Sequence, residues 1–184
     1  DGSVMVWIPG GTFIMGGPGG RLDELPAHER TLAGFFLGKF ELTRELYQNY
    51  RTDCGLGPIP PHPEAAQTPE PQHPAYLTWN EANDYCRWAG LRLPSEPEWE
   101  LAAGGLEGRI YPWGNALIGP RHANLKGDQD GYEQLAPVGK FPHGATPEGC
   151  LDMAGNAFEW PSSRHGSYAL SGVGLVVGKD HYVH

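Results

Sequence analysis

The chain has 184 residues and a mass of 20.0 kDa, the size of one domain with a single main core. Thirteen Lys and Arg against 22 Asp and Glu leave a net charge of −9, which argues against a protein that tracks nucleic-acid phosphates or sits on an anionic membrane surface. With 27 Gly and 18 Pro, yet 20 aromatic residues spread along the chain (Trp 6, Tyr 8, Phe 6), the composition predicts a folded, loop-rich domain with little regular secondary structure.

No apolar run approaches the roughly 20 residues of a membrane span, and the opening DGSVMVWIPGG has no basic segment followed by an apolar one, so a chain without membrane insertion is expected. Met5 to Ile8 and Thr12 to Gly17 read as two short strands around a Pro-Gly-Gly turn, a β-hairpin. Residues 16–30 read as a loop, and 34–42 have apolar character at strand length. Thr43 offers an N-cap, with Leu46, Tyr47 and Tyr50 spaced for one buried helical face that ends near Cys54 and Gly55. Residues 57–74 carry seven prolines without periodicity and read as a surface loop.

The strongest local signals come next. Thr78 and Glu81 form a capping box, with Ala82, Tyr85, Cys86 and Ala89 on one face and Gly90 as the stop. Ser95 and Glu98 repeat the device with Pro97 in the first turn, which predicts a helix to about Gly104. From Arg109 onward the chain reads as turns and short extended pieces without internal repeat, so residues 1–184 are expected to form one domain.

Several apparent motifs fail on inspection. Gly174 to Lys179 has the wrong glycine spacing for a phosphate loop, and Asp180 stands where its hydroxyl residue belongs. Ser167 is not in a G-x-S-x-G elbow. His181 and His184 lack a third ligand, so a polar tail is the plainer reading of them. His28, His62 and His73 read as solvent-exposed loop residues. The three cysteines, Cys54, Cys86 and Cys150, are far apart and contain no CxxC. The tryptophans at 79, 88, 99, 113 and 160 sit inside patterned segments and read as core.

Two segments carry specific chemistry. Residues 123–132 concentrate side-chain oxygens and glycines that suit a hard cation such as calcium, or else form an Asp/Asn/Gly-rich surface turn. In 152–160, Asp152 and Glu159 flank a Gly-Asn turn, which reads as a second oxygen cage or as a turn before a buried Trp strand.

MVWIPGGTFIMGG (5–17), FELTRELYQNY (40–50), HPAYLTWNEANDYCRWAGLRLPSEPEWELAAGG (73–105), YPWGN (111–115), APVGKFP (136–142) and DMAGNAFEW (152–160) together resemble the formylglycine-generating enzyme family, the sulfatase-modifying-factor domain. The resemblance covers about residues 4–160 and implies an α+β, loop-rich variant of the C-type lectin fold. It also implies calcium held by Asn124 and Asp130 through side chains with Leu125 and Tyr132 through carbonyls, and a second set at Asp152, Gly155, Ala157 and Glu159.

The family's oxidases hold copper(I) on a cysteine pair after a GGS[WY] segment. Here His165-Gly166-Ser167-Tyr168 is followed by Ala169, Leu170 and Leu175, so copper is not expected, and the activity expected is not that of a formylglycine oxidase. Cys86 resembles a family cysteine whose disulfide partner would lie in the part of the tail that departs from the family. The iron-dependent ergothioneine and ovothiol synthases carry this fold beside a helical domain that residues 1–184 lack.

What remains is a calcium-stabilised, non-catalytic domain that binds a protein or small-molecule ligand through a divergent C-terminal face, 161–184. The contact candidates are Arg164, His165, Tyr168, Asp180, His181 and Tyr182, as in a variable protein of a diversity-generating retroelement. The alternatives are an active sulfatase-modifying oxidase and a regulatory or immunity module for a fixed partner. An extracytoplasmic or cell-surface place is expected.

Overall fold

The computed structural model describes residues 2–16, 25–61 and 70–163. Four short strands come first: β1 (Met5–Ile8), β2 (Gly11–Met15), β3 (His28–Leu32) and β4 (Phe35–Gly38). They do not form the hairpin that the Pro-Gly-Gly turn predicts. β1 pairs antiparallel with β4, and β2 pairs antiparallel with β3. The register is continuous, because the offset that places Met5 opposite Gly38 also places Met15 opposite His28. The four strands are therefore one long antiparallel ribbon, broken where Pro9 and Gly10 face Ala33 and Gly34.

The physical reason for the break is local. Pro9 has no N–H to give to a ladder, and a Cβ on Gly10 would overlap the backbone of Leu32 to Gly34. The break also resets which side chains face inward. In an unbroken strand Ile8 and Thr12 would share a face, whereas Ile8 and Phe13 are both buried and Trp7 and Ile14 are both exposed.

Three helices follow: α1 (Arg44–Asp53), α2 (Trp79–Trp88) and α3 (Glu96–Gly104). All three begin at the predicted caps. Thr43 Oγ1 accepts the Leu46 N–H at 3.3 Å. Glu81 Oε2 accepts the Thr78 N–H at 2.9 Å, and Glu98 Oε2 accepts the Ser95 N–H at 2.8 Å. Gly90, with φ +71, ends α2 as the sequence predicts.

Two apolar clusters hold these elements. Ile8, Phe13 and Met15 of the ribbon pack with Leu101 and Ala102 of α3 and with Cys150 and Met153 from the loops. Tyr47 and Tyr50 of α1 pack with Tyr85 of α2. Trp88 rests its ring 5.4 Å from Tyr50 and 5.7 Å from Tyr85 but keeps 37% of its surface exposed, so it borders the core that the sequence assigned it to.

His73 corrects its predicted exposure, being buried at 5%. It lies where the Pro-rich loop closes on α1, with its carbonyl accepting the Arg44 N–H at 2.9 Å. His28 is half-buried on β3, and His62 lies outside the described residues. Beyond α3 the described chain has one bridge, Tyr111 with Gly114, turns and a single 3-10 turn at Pro142–Gly144, the loop-rich architecture expected of a C-type-lectin-like fold. Among the described residues no helix is long and apolar enough to cross a membrane.

Candidate functional site

Past β4 the chain bends at Lys39 and Phe40, and residues 39–43 are held at two anchors: Leu151 donates its N–H to Lys39 O at 2.9 Å, and Ala75 donates to Leu42 O at 2.7 Å. That path turns Glu41 inward. Its Oε1 accepts the Ala157 N–H at 2.8 Å and its Oε2 accepts Asn156 Nδ2 at 2.7 Å. Burial pushes the Glu41 carboxyl well above the ordinary range, the charges of Glu159 and Asp152 push it further, and the two hydrogen bonds oppose them.

The partners of Glu41 sit on a tightly turned segment. Asp152 (φ 62), Gly155 (φ 87) and Asn156 (φ 63) all adopt positive φ, which Asp and Asn tolerate better than other non-glycine residues. Asp152 is buried and accepts the Gly139 N–H at 2.6 Å, and its carboxyl is raised by that burial. Glu159 accepts Trp99 Nε1 at 2.7 Å. Burial brings its carboxyl up to about 7, with the Trp99 bond opposing and the Asp152 charge assisting.

The first oxygen-rich segment, 123–132, packs against this second one through Asn124 and Asn156. Asp130 closes its own loop, accepting the Leu125 N–H at 2.6 Å and the Tyr132 N–H at 3.0 Å. Buried Asn124 donates from Nδ2 to Gln134 O at 2.7 Å and to Asn156 Oδ1 at 2.9 Å. A Cβ on Gly155 would overlap the Asn124 carbonyl oxygen, so only glycine permits this approach.

The structure thus brings both oxygen-rich segments together, together with Glu41, which sequence reasoning passed over. The available signal was an acidic residue set between Phe40 and Leu42 just before a helix cap. Among the described residues no three His, Cys, Asp or Glu side chains converge on one point, so any cation here must also draw on amide and backbone oxygens. Residues 156–163 contain no strand, which leaves Trp160 fixed by its own bond, Nε1–H to Leu77 O at 2.8 Å. A groove of about 1220 Å³ runs beside the site, lined by Leu42, Tyr76, Leu91 and Phe158 with Glu41 and Glu159 at its polar wall. The six contact candidates, Arg164, His165, Tyr168, Asp180, His181 and Tyr182, lie outside the described residues.

The cysteines stand in three different settings. All are free, with Cys54 exposed, Cys86 half-buried and Cys150 buried. Burial pushes the Cys150 thiol up to about 11, with the Glu148 and Glu159 charges adding to it, and burial also raises that of Cys86. The surroundings of Cys86 and Cys150 disfavour the thiolate that a soft metal requires.

Known proteins extend the comparison. The inactive C-alpha-formylglycine-generating enzyme 2 of Mus musculus is 34% identical over 216 residues, covering 88% of this chain and 69% of that protein. The formylglycine-generating enzyme of Bos taurus is 41% identical, covering 86% of this chain and 57% of its own length. Among solved structures, PvdO from Pseudomonas aeruginosa superposes with a TM-score of 0.67 at 31% identity, covering 81% of this chain and 66% of that one. The sulfatase-modifying factor enzyme 1-like domain profile matches residues 1–184, and the chain belongs to that family.

Proposed function

We propose that this domain is a calcium-stabilised, non-catalytic member of the family, which binds a protein or small-molecule ligand through a C-terminal face at 161–184. The observation that carries the reading is the turn carrying Asp152 and Glu159 folded over Glu41, with Asn156 Nδ2 and the Ala157 N–H donating to the Glu41 carboxylate, which gathers acidic charge where burial disfavours it. A divalent cation would offset that charge.

The donors suit a hard ion. Asp152 and Glu159 each spend one oxygen on a hydrogen bond, to the Gly139 N–H and to Trp99 Nε1–H, and the carbonyls of Gly155 and Ala157 accept none from the described residues. In the first set Asn124 keeps Oδ1 for a ligand while its Nδ2 is engaged, and Asp130 has lone pairs beyond its two bonds. Calcium bound there would pin loops that have little regular structure to hold them, and pinned loops present a binding face at low ordering cost.

The test is a thermal melt of metal-stripped protein with and without calcium. A ligand bound only by the native state at 100 times its Kd adds about 2.7 kcal/mol, so a clear rise in Tm is expected. An unchanged melt in excess chelator counts against both sites. For the absent oxidase activity, support comes from the thiol environments, above all Cys150 near 11. Incubation with copper and a Cys-x-Pro-x-Arg peptide should leave the peptide thiol intact, and formylglycine above background would overturn this part.

The binding face is read as diversified. Sequencing the locus across a population should place substitutions in 160–184 over a constant body. A constant tail would instead favour a regulatory module with a fixed partner.

A further inference from the structure

The geometry points to Asn156 as a positioning residue that couples the two oxygen-rich segments, so that a cation at one strengthens binding of a cation at the other. The inference rests on the calcium reading above and goes beyond it, since nothing in that reading requires the two sites to communicate.

Asn156 lies inside the second segment, between Asp152 and Glu159, and it contacts the first. Its Oδ1 accepts Asn124 Nδ2 at 2.9 Å and the Ala136 N–H at 2.9 Å. Its Nδ2 donates to Glu41 Oε2 at 2.7 Å and to Ala136 O at 3.2 Å. Its own N–H donates to Asn124 O at 3.0 Å. Both donors and both lone pairs of the side-chain amide are therefore used, which fixes its orientation.

Asn124 is held from both sides by this arrangement. Its Nδ2 is shared between Asn156 and Gln134 O, which leaves Oδ1 as the atom free to meet a cation. A cation at the first segment would lock Asn124 in this orientation, and through it Asn156 and the turn that carries Asp152, Gly155, Ala157 and Glu159. The same ordering runs in reverse. A site that is already ordered by its neighbour costs less to fill, and linkage requires the effect to be mutual.

The experiment uses calcium alone, titrated by calorimetry into the metal-stripped full chain. Asp130→Asn disables the first site and Glu159→Gln the second, and each variant reports the affinity of the site left intact. If the sites are independent, the overall two-site constant of the unmodified protein equals the product of the two single-site constants. Coupling makes it larger, by about 5-fold or more on the usual scale of such effects.

Asn156→Gly keeps the positive φ and removes the amide, and is expected to return the system to the independent product with both sites still binding. Should that variant not fold, the comparison of the unmodified protein with Asp130→Asn and Glu159→Gln stands without it. Two calcium ions bound with independent constants would overturn the coupling and leave the calcium reading intact. No calcium bound by the unmodified protein would overturn both.

Discussion

The indole Nε1–H of Trp99, on α3, donates to Glu159 Oε2 at 2.7 Å across 60 residues of sequence. It is the only hydrogen bond that opposes the rise of the Glu159 carboxyl among the causes acting on it, and it ties the ribbon-facing helix to the oxygen-rich turn. Trp99→Phe keeps most of the ring volume and removes the donor. Leaving an acceptor unsatisfied in a buried place costs about 1–3 kcal/mol. The expected outcome is a lower midpoint in urea for the metal-stripped protein, with unchanged far-ultraviolet circular dichroism. A midpoint equal to that of the unmodified protein would show that water replaces the indole without loss.

Glu98 supplies the pH dependence of α3. Its Oε2 accepts from Ser95 N–H and Oγ–H at 2.8 Å and from Arg92 Nη1 at 2.7 Å. The Arg92 bond, with the Ser95 bonds and the Arg92 charge assisting against burial, holds the carboxyl down at about 2. A carboxyl depressed in the folded state stabilises above its unfolded value of 4.5, and the contribution is lost as pH falls from there through about 2. Melts between pH 6 and 2 should therefore show an acid limb that Glu98→Gln flattens. An identical acid limb in the variant would assign acid sensitivity to other carboxyls.

The helices were legible because their signals are local. Thr43, Thr78 and Ser95 each act on a group within three residues, so spacing alone reveals them. The ribbon was not legible, since Pro9-Gly10-Gly11 is the composition of a tight turn and the true partners of β1 lie 27 to 33 residues away in sequence, at Phe35 to Gly38. Glu41 was missed for a related reason. A lone acidic residue reads as surface until Asn156, 115 residues later, folds over it. The two oxygen-rich segments were visible as composition, but their contact through Asn124 and Asn156 depends on a tertiary approach that only Gly155 allows.

The ribbon break makes a comparative prediction. A Cβ at Gly34 would meet the far edge of the Trp7 ring, which is half exposed and can swing outward, giving up its edge-to-face contact with Phe36 at 5.1 Å. That loss is about 1 kcal/mol. A Cβ at Gly10 would instead meet the backbone of the opposite strand, which has no such freedom, and overpacking of this kind costs about 1–3 kcal/mol. Gly10→Ala should lower the Tm more than Gly34→Ala. The reverse order would mean that the break is less rigid than the register across it implies.

Thiol reactivity separates the three cysteines and bears on the proposed loss of oxidase chemistry. A disulfide reagent attacks the thiolate, so exposure and a low thiol pKa both speed reaction. Cys54 is exposed, Cys86 is half-buried with its thiol raised, and Cys150 is fully buried with its thiol near 11. At pH 8 the native protein should release one equivalent of reporter quickly from Cys54, a second slowly from Cys86, and the third only when denaturant opens the core. Cys54→Ser should abolish the fast phase alone. A fast native phase that survives that substitution would reveal a reactive thiolate at Cys86 or Cys150, and with it a soft-metal ligand that the burial of both thiols otherwise disfavours.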